Sequence, residues 1–181
     1  MSLCYFASGI SFVAFTLDPF SDPTSLTYRY QTPVIGIYME SFTILGGARS
    51  DSLGLVEVSS PSGFVMMAVE KGLLSGQATQ NATGTIFLTY PVGYDDALDF
   101  AVGGANQFSF SVSSTQAVPI TFSVLCEGGG SSAYKITVPS GTTNKSYSLA
   151  FTQFAGQCNF STIQLPASTF MSLSSIQITD S

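Results

Sequence analysis

Strict alternation of apolar and polar residues is the feature that most constrains this chain. In "FSFSVSS", Phe108, Phe110 and Val112 fall on one face and serines on the other. A period of two marks a strand buried on one side only. "ITFSVLC" repeats it with Ile120, Phe122 and Val124, and "YKITVPS", "SYSLAFT" and "SIQIT" continue it. "LGLVEV", "GFVMMAV" and "GTIFLTY" also read as strands, bounded by Gly, Pro and Ser. Roughly ten to twelve candidates, spaced by about 8–12 residues, predict a sandwich or barrel. Residues 65–74 have room for a helical turn, but their β-branched and Gly content argues for strands. "YDDALDFAVGG" has room for one helical turn before a strand, and "CEGGGSSAY" reads as a hairpin loop whose glycines permit positive φ.

A chain of 181 residues suits one domain over residues 1–181. The expected fold is all-β, an antiparallel β-sandwich of jelly-roll type. Charged residues make up only 9% of the chain, far below the usual ~25%, yet fifteen Phe and eight Tyr supply the apolar area that disordered chains lack. Polarity comes instead from Ser, Thr, Asn, Gln and Gly, which solvate the outer faces of strands.

The charge balance narrows the function. The net charge is −6, and the five cations, Arg29, Arg49, Lys71, Lys135 and Lys145, are scattered. Nucleic-acid binding needs clustered cations to displace counterions from phosphates, so it is set aside. The absence of His removes Ser-His-Asp and Cys-His catalysis and His-based zinc sites. Carboxylate chemistry and calcium held by oxygen atoms remain open.

The opening "MSLCYFASGISFVAFTLDPF" is apolar to Leu17 but has no positive start and is interrupted by Gly9 and Ser11. Residues 1–10 read as a tag or the remnant of a signal peptide. The stretch is too short and broken for a membrane span, and no other window is long and apolar enough, so a soluble chain is expected. Sequons at Asn81, Asn144 and Asn159 count as glycosylation only in a eukaryotic source. None of the cysteines, Cys4, Cys126 and Cys158, forms a CxxC pair. Cys126 and Cys158 lie near strand ends and are expected to form a disulfide in an oxidising compartment, the alternative being two buried free thiols.

Three acidic clusters compete as sites. In "LGGARSDSL", Arg49 and Asp51 are two apart, hence on one face if the segment is a strand. A guanidinium gripping a ligand is one reading; the favoured one is a structural turn whose arginine is tied to a nearby carboxylate or carbonyl. In "YDDALDF", Tyr94, Asp95, Asp96 and Asp99 are the expected ligand-binding residues, suited to sugar hydroxyls or calcium more than to catalysis. Asp18 and Asp22 near the start, with Asp180 near the end, are the expected ligands of a structural calcium, since the terminal strands of sandwiches often adjoin. Tyr90, Tyr94, Tyr134 and Tyr147 are candidate stacking platforms, each weighed against plain rim packing.

"ILGGARSDSL", "YPVGYDDALDFAVGGANQFSFSV" and a closing "LSSIQITDS" come in an order that resembles secreted bacterial β-sandwich proteins of the PEP-CTERM-associated type. In those, a "GGxRD"-like turn follows the first strands and a "GGAN"-like turn precedes a mid-chain strand. Here Ala48 and an inserted Ser50 depart from the first pattern, and the sorting signal is missing from this sequence. The resemblance implies export and a sandwich like that of jelly-roll carbohydrate-binding modules. The expected function is a non-catalytic extracellular or cell-surface module that binds carbohydrate or matrix polymer. The alternatives are a structural or adhesive surface protein without a small ligand, and a carboxylate-based glycosidase or lyase.

Overall fold

The computed structural model describes residues 15–30, 36–40, 44, 48–90, 106–126, 130–154 and 158–179. Among them are fourteen strands: β1 Phe15–Asp18, β2 Thr24–Arg29, β3 Ile37–Glu40, β4 Ala48–Val58, β5 Phe64–Glu70, β6 Leu73–Ala78, β7 Ala82–Thr89, β8 Gln107–Ser114, β9 Val118–Cys126, β10 Ser131–Val138, β11 Thr142–Ala150, β12 Cys158–Ala167, β13 Met171–Ser174 and β14 Ile176–Thr179. A single 3₁₀ turn, Phe151–Gln153, is the remaining regular element among the described residues. No helix there is long and apolar enough to cross a membrane.

All pairings are antiparallel and fall into two sheets. The six-stranded sheet runs β10-β9-β12-β7-β4-β3. In the eight-stranded sheet, β11 lies along one edge of β8, while β13 and β14 follow each other along the other edge. Beyond β13 come β6, β5 and β2; beyond β14 comes β1. The chain crosses repeatedly between sheets, so most strands have a partner distant in sequence, while β3–β4, β5–β6 and β9–β10 pair as neighbours. This is the expected β-sandwich.

Alternation explains the layering. Phe108, Phe110 and Val112 of β8 are buried, and the two rings meet Phe122 of β9. The Phe110 and Phe122 rings stack with centroids 4.8 Å apart, and Phe108 lies 6.5 Å from Phe122. Fully burying one such side chain is worth about 1.5–3 kcal/mol, so the facing rows of β5, β6, β8, β9, β12 and β13 dominate the core. Residues 65–74 form β5 and β6 rather than a helical turn. The connection is a two-residue hairpin, Lys71–Gly72, with φ of 53° and 79°. Two positive φ values match the twist of the flanking strands, and glycine takes one of them without strain.

Candidate functional site

Strand β4 carries the sharpest polar chemistry. Arg49 and Asp51 do share a face, and it is the buried one: both have 0% exposure. Arg49 Nε donates to Asp51 Oδ1 at 2.6 Å and a terminal nitrogen of its guanidinium donates to Asp51 Oδ2 at 3.1 Å, a side-on fork. The other terminal nitrogen reaches across to the eight-stranded sheet and donates to Asp18 Oδ2 at 2.6 Å. A further bond, at 3.5 Å, goes to the carbonyl of Asp22. The Phe20 ring lies 5.6 Å from the guanidinium carbon.

Each carboxylate is completed by neutral donors. Asp51 Oδ2 accepts from the Thr24 hydroxyl at 2.7 Å. Asp18 accepts from the Phe20 backbone N–H at 2.8 Å and from the Tyr90 hydroxyl at 2.9 Å. The cluster thus joins β1 and β2 of one sheet to β4 and the end of β7 of the other. Buried charges survive only when so paired and hydrogen-bonded. Burial opposes the charge on Arg49, but the hydrogen bonds to Asp51 and the charge of Asp18 outweigh it and lift its pKa above the ordinary value. Burial pushes the Asp18 carboxyl upward, and Arg49, Phe20 and Tyr90 pull it back only in part. Burial, then the Asp18 charge, raise the Tyr90 phenol well above its usual value.

These contacts settle several sequence expectations. Arg49, Ser50 and Asp51 belong to a strand and not to a turn; the structural role expected for Arg49 is met by two carboxylates and a carbonyl. Gly46 and Gly47 lie outside the described residues. Tyr90 is no stacking platform, being 3% exposed and bonded to Asp18. Tyr134 packs against the core edge-on to Phe154, and Tyr147 stacks on Phe110 with its hydroxyl buried and unpartnered among the described residues. Tyr94, Asp95, Asp96 and Asp99 lie outside the described residues, as does Asp180. The terminal strands β1 and β14 do adjoin. Their register nevertheless sets Asp18 against Ile176, with the C-terminal end of β14 running toward the start of β1. The cation beside Asp18 is the guanidinium of Arg49, which calcium would have to displace.

The solvent face of the six-stranded sheet holds a second feature that sequence reading missed. Ser52 pairs with Phe87, Phe87 with Gln164, Gln164 with Thr121, and Thr121 with Lys135. Directly opposed residues share a face, so these five positions form one lane across β4, β7, β12, β9 and β10. At the usual strand spacing the lane is about 19 Å long. Phe87 is half-buried, yet it points away from the core, between inward Ile86 and Leu88. Its ring lies over Gly54 of β4: a Cβ there would come within 2.6 Å of the ring edge. Glycine lets the ring approach the β4 backbone closely, flanked by half-exposed Thr85, Thr89, Ser52 and Gln164.

No protein-family model matches the sequence, and no curated protein matches it. Solved structures similar to it include the family 11 carbohydrate-binding module of the cellulosomal cellulase Lic26A-Cel5E of Clostridium thermocellum, at 13% identity and a TM-score of 0.43, over 95% of this chain and 97% of that one. The enzymatically active domain of tailspike protein 4 of bacteriophage CBA120 is similar at 12% identity and a TM-score of 0.41, over 93% of this chain and 20% of that one. TmCBM61, in complex with β-1,4-galactotriose, stands at 9% identity and a TM-score of 0.25, over 90% of this chain and 87% of that one. At such distances nothing that those proteins bind or cleave transfers to this chain.

Proposed function

We propose that this domain is a non-catalytic module that binds carbohydrate through the solvent face of its six-stranded sheet. The observation that carries the reading is the Phe87 ring laid over Gly54 within a lane of hydroxyl and amide side chains. A sugar ring offers an apolar face of C–H groups and a rim of hydroxyls. An outward aromatic ring packed over β4 suits the face, and Ser52, Thr121 and Gln164 suit the rim, each able to donate and accept. Lys135 adds one cation at the lane's end. An extracellular or cell-surface setting goes with this reading, as do the low charge and the hydroxyl-rich outer faces.

A carboxylate-based glycosidase finds less support. Among the described residues, Asp18 and Asp51 are brought together, but they lie inside the core with a guanidinium between them. No sugar could reach them. Acid–base cleavage also needs two carboxyl groups about 5–9.5 Å apart across an open cleft.

Affinity electrophoresis against a panel of soluble β-glucans, galactans and mannans tests the proposal. Retardation by at least one polymer is expected, with loss of retardation in Phe87→Ala and weakening in Gln164→Ala. No retardation by any polymer, or retardation undiminished in Phe87→Ala, would sink this site. Retained binding in Phe87→Ala that is lost on replacing Tyr94, Asp95 and Asp96 would move it to the "YDDALDF" segment.

A further inference from the structure

We infer that Cys126 and Cys158 form a cross-strand disulfide that locks the β10–β11 side of the sandwich. The register of β9 and β12 sets Cys126 directly opposite Cys158, and it runs unbroken to Phe160 opposite Val124. Directly opposed residues of an antiparallel pair have Cα atoms about 4.5–5.5 Å apart and share a face. A disulfide spans Cα separations of about 4.4–6.8 Å. The pair stands at the end of the β9–β12 ladder, where no further cross-strand partner follows it in the register among the described residues.

The bridge would do more than join two neighbours. The ring that it closes contains β10, the edge of the six-stranded sheet, and β11, the edge of the eight-stranded sheet. The chain leaves one sheet at Val138 and joins the other at Thr142. Without the bridge these strands are held on that side by one ladder each, β10 on β9 and β11 on β8. With it, peeling them away would still leave the ends of the segment tied together. The lock is independent of whether the domain binds a glycan.

Formation needs an oxidant, taken here as a small-molecule disulfide such as oxidised glutathione. One cysteine thiolate attacks it, forming a mixed disulfide and releasing one glutathione thiolate. The second cysteine thiolate then displaces the other glutathione. Two glutathione thiols carry off the two electrons and, once reprotonated, the two protons.

The scattered cations make the pairing easy to read. Cleavage after Arg29, Lys71, Lys135 and Lys145 leaves Cys4, Cys126 and Cys158 on three different fragments. The full chain, oxidised with glutathione disulfide and alkylated, should give the Cys126 and Cys158 fragments linked, with only Cys4 alkylated. Reductant should then lower the Tm by about 10 °C, and a Cys126→Ser/Cys158→Ser variant should not respond to reductant. Alkylation of both Cys126 and Cys158 after oxidation, or a bridge from either to Cys4, overturns the pairing. A mapped bridge with an unmoved Tm overturns the lock.

Discussion

Strands β4 and β7 each present two opposite chemistries. Inward, β4 carries Arg49 and Asp51, and β7 runs on to Tyr90, all buried in one hydrogen-bonded cluster. Outward, β4 carries Ser52 and Gly54, and β7 carries Phe87. The usual sorting is reversed: ions lie inside and an aromatic ring lies outside. Neither placement comes free. The buried ions need every donor that surrounds them, whereas the outward, half-buried ring packs over a glycine. The inner cluster therefore answers to stability and the outer lane to binding, and substitutions should separate the two.

The largest effect is expected for Arg49→Ala. It leaves Asp18 and Asp51 buried without their cation, and breaking a buried pair in this way costs about 3–5 kcal/mol. Against a total stability of about 5–15 kcal/mol, that is a fall in Tm of 10 °C or so. Arg49→Lys should also destabilise, because an ammonium cannot keep the side-on fork to Asp51. Any glycan affinity of the folded fraction should survive. A Tm within 2 °C of the wild type, roughly the shift that ~0.5–1 kcal/mol would give, would show that the cluster staples nothing.

Tyr90→Phe comes next, removing one hydrogen bond to a carboxylate at a cost of about 1.5–3 kcal/mol. It should also change the pH profile. The folded phenol titrates well above its ordinary value of about 10, so above that pH the unfolded chain loses its proton first. The fold then binds more protons than the unfolded state, and stability falls as pH rises. Asp18 has the same sign at lower pH: its raised pKa contributes stability below the ordinary carboxylate range that is lost as pH climbs through the folded value. Melting curves from pH 9 to 11 should show a steeper alkaline loss in the wild type than in Tyr90→Phe. Parallel curves would remove Tyr90 from the account.

The two faces were not equally legible in the sequence. Alternation in "FSFSVSS" and "ITFSVLC" identifies inward residues directly, whereas the spacing of Arg49 and Asp51 puts them on one face only once the segment is a strand, and the two glycines before it argue for a turn. The partners of Arg49 across the sandwich were harder. Asp18 lies 31 positions away, and a carboxylate near a proline-rich start looks the same whether its cation is calcium or a guanidinium. Only the register of β1 and the crossing between sheets decide it. Phe87 escaped for a different reason. In "GTIFLTY" apolar residues occupy both faces, so the period of two vanishes where the outward phenylalanine sits. The isolated glycine in "SLGLVEV" was the companion signal, since a glycine inside a strand often marks a close approach.

Phe87→Ala should therefore barely register in stability, within about 1 kcal/mol, the range of changes at half-exposed positions away from buried networks. Its glycan affinity should fall about tenfold, which corresponds to about 1.4 kcal/mol and lies at the upper end of what one aromatic contact contributes. A large drop in Tm with unchanged affinity would mean that the ring only covers the backbone of β4.

Gly54→Ala makes the finest distinction. The added Cβ would meet the Phe87 ring edge at 2.6 Å, too close to keep. The obstructing atoms belong to the end of a side chain, so the ring can swing away while the strands stay paired. Alanine also restricts the unfolded chain more than glycine does, which favours the fold by about 0.4–1 kcal/mol where the backbone accepts it. Stability should thus hold or rise slightly. The ring, however, would be displaced from its place over β4, and a sugar that stacked on it would lose its contact while Ser52, Gln164 and Thr121 kept their places. If binding depends on the ring staying over Gly54, Gly54→Ala weakens it nearly as much as Phe87→Ala, at undiminished Tm. If the lane binds through its hydroxyls alone, Gly54→Ala leaves affinity untouched, and the aromatic part of the site is wrong.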